Sequence, residues 1–284
     1  MTAKLTTVRS GALTTVQDSG RRGYAHLGVP RSGALDAPAM RLANRLLGND
    51  PDAAVLETTL TGCALRPDRA MTAVVGGAHC PVTVDGRPAA WGAPVRVPAG
   101  AVLDVGTATA GVRSYVAVAG GIATDPVLGS RSTDLLSGLG PEPLRDGDVV
   151  PVGLPRPVAL SGAAPWPGPP AELVLPVRLG PRADWFTPAA LRTLVSATYR
   201  VSPHSNRIGL RTEGPPLERA PAGELPSEGV VLGAVQVPPD GRPVIFLHDH
   251  PTTGGYPVVA VVAEPALAAA AQAAVGTPVR FTRG

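Results

Sequence analysis

Asp249, Thr252, Thr253, Gly254 and Gly255 fall within seven residues near the C-terminal end of the chain. A carboxylate can move a proton, and hydroxyls can donate to a developing oxyanion. Adjacent glycines leave backbone N–H groups bare, and such groups can close on an anion. Together these residue types describe a small-molecule site at a strand end. A Gly-rich hairpin exposed for turning alone shows the same pattern, and residue types do not separate the two. The elements that must position this loop lie just upstream. Val231, Val235 and Val237 share one strand parity, with Gln236 on the opposite face. Pro239, Asp240 and Gly241 supply hairpin chemistry: a fixed φ, a local side-chain hydrogen bond and a residue that tolerates φ > 0. Residues 244–247 are then a short apolar run, read as a buried strand that delivers Asp249 to its end.

A second cluster lies near the N-terminus: Gln17, Asp18, Gly20, Arg21 and His26, then Ser32, Gly33 and Asp36. Its polar residues alternate with glycines rather than lining one periodic face, which is a loop composition that often carries function on a rigid scaffold. The bland reading is an internal Asp18–Arg21 ion pair, with Asp36 a helix cap. Glu57 sits among Val55, Leu56 and Leu60, where burial would raise its pKa unless a donor compensates, and a nearby arginine is the simpler solution. Arg207, which ends the run Ser202-Pro-His204-Ser205-Asn206-Arg207, is either a bidentate partner for a ligand carboxylate or phosphate or half of a structural salt bridge. His248 and His250 flank Asp249 on one strand parity, yet no third ligand is evident, so no metal is assigned. No Gly-x-Ser-x-Gly elbow, His-Glu-x-x-His pair or Cys-x-x-Cys pair occurs, and a self-sufficient hydrolase is not indicated. Cys63 and Cys80 are too few for a disulfide framework and read as semi-buried thiols.

Across 284 residues, hydrophobic content is 44% and charged content 17%, the balance of a globular chain. No apolar run approaches the ~20 residues that span a bilayer, and the first residues, MTAKLTTVRSGAL, lack a signal-peptide core. The expectation is a soluble cytoplasmic protein with no membrane partner. The net charge of +3 is carried almost wholly by arginine, without a basic run interleaved by aromatics, so no nucleic-acid partner is expected. Lys4 is the only lysine. A phosphate-binding P-loop needs a lysine after its glycines, and a biotin carrier needs one to acylate. A lysine at position 4, read as preceding any folded segment, serves neither. If the system uses ATP or biotin, another chain must hold the ATP-binding lysine or the biotinyl lysine.

With 34 Gly and 33 Pro and no repeat period, the chain reads as many short strands joined by tight turns. Three segments read as helices, 36–48, 187–198 and 264–275, and the first carries Met40, Ala43, Leu46 and Leu47 as its apolar stripe. Each starts with a cap and a proline in the first turn. Residues 151–170 hold seven prolines and little charge, the composition of an extended linker. It divides the chain into lobes at 1–150 and 171–284.

Four blocks resemble one known family. They are VQDSGRRGYAHLGVPRSGALD, GVRSYVAVAGGI with VLGSRST, SPHSNRIGLRTEGPPL, and SEGVVLGAVQVPPDGRPVIFL with TTGGYP, in order over nearly the whole chain. The family contains the C subunit of bacterial 5-oxoprolinase, the KipA proteins and the second half of the urea carboxylase carboxyltransferase domain. The resemblance implies a mainly β fold of two cyclophilin-like β-barrel lobes with a few short helices. It implies one component, inactive alone, of an ATP-dependent amidohydrolase complex that opens 5-oxo-L-proline to L-glutamate. The partners would be the KipI-like B subunit and the LamB/YcsF-like A subunit of 5-oxoprolinase. ATP and Mg2+ would belong to the complex, with no cofactor bound by this chain alone. The alternatives are a biotin-dependent, urea carboxylase-like carboxyltransferase component and a non-catalytic KipA-like regulator. By the same resemblance, Asp249, Thr252, Thr253, Gly254 and Gly255 are catalytic. Asp18, Arg21, His26, Ser32, Ser205, Arg207, Ser227, Glu228, Gln236 and Tyr256 bind substrate. The chain departs from the pattern at His204, Asn206 and Pro251, where glutamine, aspartate and glutamine are usual.

Overall fold

The structure, a computed structural model, describes residues 3–156, 162, 165–220 and 223–284. It is mainly β, and it divides into two compact units. The first comprises residues 1–21, 32–134 and 138–169; the second comprises 22–31, 135–137 and 170–284. Two short stretches from the N-terminal half therefore belong to the C-terminal unit, which a cut at one linker does not anticipate. Residues 157–161 and 163–164 of the Pro-rich stretch lie outside the described residues. Of the rest, Pro151 and Val152 end the strand Val149–Val152. Trp166 packs where Cβ atoms on Gly76 and Gly92 would collide with it, and its indole N–H donates to Gly92 O at 3.0 Å.

In the first unit, strand alternation builds two faces. The six-stranded sheet includes Ala3–Arg9 and Cys63–Pro67; the five-stranded sheet includes Val55–Thr59, Met71–His79 and Ala110–Val118. Leu5, Leu65 and Leu103 from the first sheet share one core with Leu56, Val75 and Val116 from the second. The neighbours of opposite parity, Val55, Val74, Tyr115 and Ala117, form a separate core beneath helix α1 (Ala37–Leu46). Met40, Ala43, Leu46 and Leu47 supply the helix side, as the apolar stripe predicts. Asp36 caps α1 by accepting from Ala39 N at 3.1 Å.

The same parity settles Glu57. It faces α1 with Val55, and its carboxylate accepts from Tyr115 Oη at 2.9 Å and Leu35 N at 3.0 Å. Arg113 stands 3.7 Å away, the compensating arginine expected from sequence. Lys4 does not precede the folded part. It lies within the strand Ala3–Arg9, where its N–H donates to Asp68.

The second unit is a closed seven-stranded barrel, sealed by the parallel pairing of Leu173–Leu179 with Pro278–Arg283. Leu173, Leu175 and Val177 alternate inward while Val174 is exposed. Helix α2 (Pro188–Ser196) is capped by Thr187. The expected third helix is shorter than its alanine content suggests: a 3-10 turn, Glu264–Ala266, leads into α3 (Leu267–Gln272). No helix among the described residues is long and apolar enough to cross a membrane.

Both cysteines are free and buried. Burial pushes the Cys63 thiol up to about 12, against a smaller opposing pull from Arg9, and raises Cys80 as well. A thiolate is the reactive form, so neither should react with iodoacetamide at pH ~8 until the chain unfolds. Between the ordinary value of 9.0 and about 12, the unfolded chain releases the Cys63 proton while the folded chain keeps it. Stability should therefore fall as pH rises through that window. Urea unfolding at roughly pH 8 and roughly pH 10.5 would show it as a lower midpoint at the higher pH.

Candidate functional site

The hairpin that leads to the candidate loop forms as its sequence requires. Ala234–Gln236 pairs with Val244–Phe246, and Gly241 turns with φ 74°. Its first strand starts later than the valine parity suggests, because Gly233 takes φ 81° and leaves Val231 exposed outside the strand. Beyond Phe246 the chain delivers Asp249 into full burial. The Arg207 guanidinium meets it in a bidentate pair, Nε to Oδ2 and Nη2 to Oδ1, both at 2.9 Å, with both side chains no more than 1% exposed. The Leu135 N–H approaches Asp249 Oδ2 at 3.4 Å. Of the two readings open for Arg207, the structure shows the salt bridge. Asp249 is correspondingly a buried counter-ion, tied to a neighbouring segment rather than open to solvent.

The loop beyond it is half open. Glu228–Gly229 pairs with Thr253–Gly254, and Val230 N donates to Thr252 O at 3.0 Å. Antiparallel alternation makes Glu228↔Gly254 the next hydrogen-bonded pair, which places the Gly254 amide in the ladder. Neither Gly254 nor Gly255 adopts positive φ. Gly254 is required for closeness instead: a Cβ there would lie 2.7 Å from Gln236 Nε2. Gln236, buried, donates to Tyr256 O at 3.0 Å and so fastens the far end of the loop. What remains open is the surface of Thr253, Gly255 and Tyr256, with Thr252 half-buried. The Arg219 guanidinium lies over the Tyr256 ring, 5.9 Å from its centroid.

Other candidates occupy supporting places. Glu228 Oε2 accepts from Arg182 at 2.7 Å and 2.9 Å. Ser227 is exposed, and His26 is exposed on the 3-10 turn Ala25–Leu27. Ser205 braces its own turn, with Oγ accepting from Arg211 N at 3.0 Å. Asn206 Oδ1 accepts from Ile208 N and Gly209 N, at 2.9 Å and 3.2 Å. The His250 ring stacks on Phe246, and its Nδ1 lies 2.6 Å from Pro251 O.

In the first unit, Asp18, Arg21 and Ser32 meet in one buried network, but not through an Asp18–Arg21 pair. The Asp18 carboxylate accepts from Ser130 Oγ (2.6 Å), Ser132 Oγ (2.7 Å), Arg131 N (2.6 Å) and Gly20 N (2.8 Å). Arg21 donates to Ser32 Oγ at 2.7 Å and to Ser132 O, and Ser32 Oγ donates on to Asp134 at 2.6 Å. Ser32 is held at φ 55°, an uncommon conformation that this network over-determines.

The profile described as carboxyltransferase domain, subdomain A and B, matches residues 27–283. This chain belongs to that family. Its relative in Escherichia coli K12, the C subunit of 5-oxoprolinase, is 36% identical over 283 residues, covering 97% of this chain and 90% of its own length. The crystal structure of TTHA0988 superposes with a TM-score of 0.90 at 38% identity, and the chain spans 99% of itself but 56% of that protein. The K. lactis urea amidolyase superposes at 0.89 with 31% identity, and there the chain spans 18% of the larger enzyme.

Within this carboxyltransferase-domain chain, residue reasoning missed Ser130, Ser132 and Asp134 as the anchors of Asp18 and Ser32. The signal was present in Gly129-Ser130-Arg131-Ser132-Thr133, a run of hydroxyls too dense for a simple turn. Removing one partner from a buried ion pair strands the other charge, at a cost of ~3–5 kcal/mol. Asp249→Asn and Arg207→Met should each lower stability by about that amount in urea unfolding. The double variant Arg207→Met/Asp249→Leu should recover most of the loss. Wild-type stability in both single variants would contradict the pair's role.

Proposed function

We propose that this chain is the C subunit of an ATP-dependent 5-oxoprolinase, acting with the A and B subunits to open 5-oxo-L-proline to L-glutamate. The observation that carries the reading is the 36% identity to the E. coli protein over 97% of this chain and 90% of that one. A lactam resists water because its nitrogen donates into the carbonyl. Transfer of the ATP γ-phosphoryl group to the lactam oxygen releases ADP and activates the ring carbon; water adds at that carbon, the ring C–N bond breaks with protonation of nitrogen to leave an acyl phosphate, and a second water releases phosphate and the carboxylate. ATP and Mg2+ are assigned to the complex, since the only lysine of this chain, Lys4, follows no glycine-rich phosphate loop. The reaction needs donors for an oxyanion, and preorganised donors contribute ~10²–10³ in rate. The exposed Thr253 hydroxyl and Gly255 amide, with half-buried Thr252, are the groups of this loop open to a ligand. Arg207, Asp249 and Gln236 act as positioning residues for them. The partners are a KipI-like B subunit and a LamB/YcsF-like A subunit, and the isolated chain is inactive.

A second reading, a biotin-dependent carboxyltransferase component, is favoured by the family description and by the likeness to urea amidolyase. The same open donors would then face a carboxylate carried on another chain's biotin.

Co-expression with the candidate A and B subunits tests the choice. ATP-dependent glutamate release from 5-oxoproline should require this chain. Thr253→Ala, at an exposed position, should reduce turnover about tenfold or more without lowering stability. Full activity without the chain removes the proposal; full activity in Thr253→Ala removes this assignment of the loop.

A further inference from the structure

A separate cavity of about 460 Å³ opens on the outer wall of the barrel. Its floor includes Val244, and its rim joins the strand Gly209–Glu213, the hairpin turn at Asp240 and the loop after Val201. Strand parity explains the lining. Arg211 and Glu213 point outward together while Leu210 and Thr212 between them are buried. Arg242 faces the same space from the hairpin, and His204 and Asn206 from the loop.

Several polar groups here are unengaged. Among the described residues, the guanidinium groups of Arg211 and Arg242 and the His204 ring have no hydrogen-bond or ion-pair partner. Each of the two guanidinium groups can grip a carboxylate bidentately. Asn206 has its Oδ1 occupied by two backbone N–H groups, so its amide N–H₂ is a further donor. The acids are each half-used: Glu213 Oε1 accepts from Ser202 Oγ at 2.9 Å and Asp240 Oδ1 accepts from Arg242 N at 3.1 Å. One oxygen of each carboxylate remains for a cation. Apart from His204, the charged lining sums to zero, two arginines against two acids. A polyanion is poorly matched to that balance, whereas a ligand carrying both signs is complementary to it.

We infer that this cavity binds a free α-amino acid, its carboxylate held by Arg211, Arg242 and Asn206 and its ammonium by Glu213 and Asp240. The volume suits a small metabolite. An acidic side chain would give the second arginine its own carboxylate, so L-glutamate is the favoured member of the class. That last choice agrees with the product of the proposed reaction, but the site rests on its own lining.

Calorimetric titration of the isolated chain, without ATP or its partner proteins, tests this independently of turnover. L-Glutamate should bind at one site per chain, L-alanine more weakly, and glutarate, which lacks the ammonium, about tenfold or more weaker than L-glutamate. Arg211→Ala and Asp240→Asn, both at exposed positions, should each weaken L-glutamate about tenfold, while Arg96→Ala in the other unit leaves it unchanged. Absence of binding by L-glutamate and L-alanine at millimolar concentration overturns the site. Equal binding of glutarate overturns the amino-acid assignment, and wild-type affinity in both cavity variants places any binding elsewhere. Loss of 5-oxoproline turnover on omitting this chain, with no amino-acid binding, would leave the proposed function standing and remove this inference alone.

Discussion

Arg207 and Asp249 form the constraint on which the second unit's candidate site depends. Both are essentially inaccessible, and the pair is bidentate. A charge removed from water is tolerated only when its partner and remaining hydrogen bonds are in place. The pair therefore fixes where the strand after Phe246 ends and where the loop of Thr252–Tyr256 begins. Gln236 fastens the other end of that loop through Tyr256 O, and Gly254 exists to let it approach. The surface left open between these two anchors is short and polar.

The first unit holds its buried charges largely through hydroxyls and backbone groups. Asp18 is held by two serine hydroxyls and two amides, and Arg21 donates to a serine and to the carbonyls of Val127 and Ser132. The charged groups of this network are satisfied by one another and by nearby hydroxyls and backbone, which allows so much polarity inside a β core. Glu57 repeats the pattern beneath α1, with Tyr115 Oη, Leu35 N and Arg113 around it. Buried carboxylates in this chain hold loops and helix starts against sheets.

Much of the architecture was legible because period-2 alternation leaves little freedom. Val55 and Leu56, or Val74 and Val75, must serve two different cores, and the structure shows both. The cap-and-proline starts located α1 and α2 within a residue or two. Alanine content misled at 264–275, since Glu264–Pro-Ala turns as a 3-10 segment before α3 begins. The site was less legible. Gly254 reads in sequence as a free amide, but its role is clearance for a side chain eighteen residues upstream. Arg207 could be given a ligand or a partner with equal justice until Asp249 was seen against it. The dependence of Asp18 on Ser130 and Ser132 spans over a hundred residues, which no local pattern encodes. Long-range satisfaction of buried polar groups is the part of a fold that spacing cannot state.

The central claim is that Arg207 and Asp249 position the loop and do not themselves react. Its most direct measurement is turnover of 5-oxoproline by the reconstituted complex carrying the apolar replacement Arg207→Met/Asp249→Leu, once unfolding confirms a folded chain. The account expects turnover within about tenfold of wild type, because an apolar pair of similar volume can keep the backbone in place. A folded double variant with no detectable turnover would contradict it and assign the pair to the chemistry.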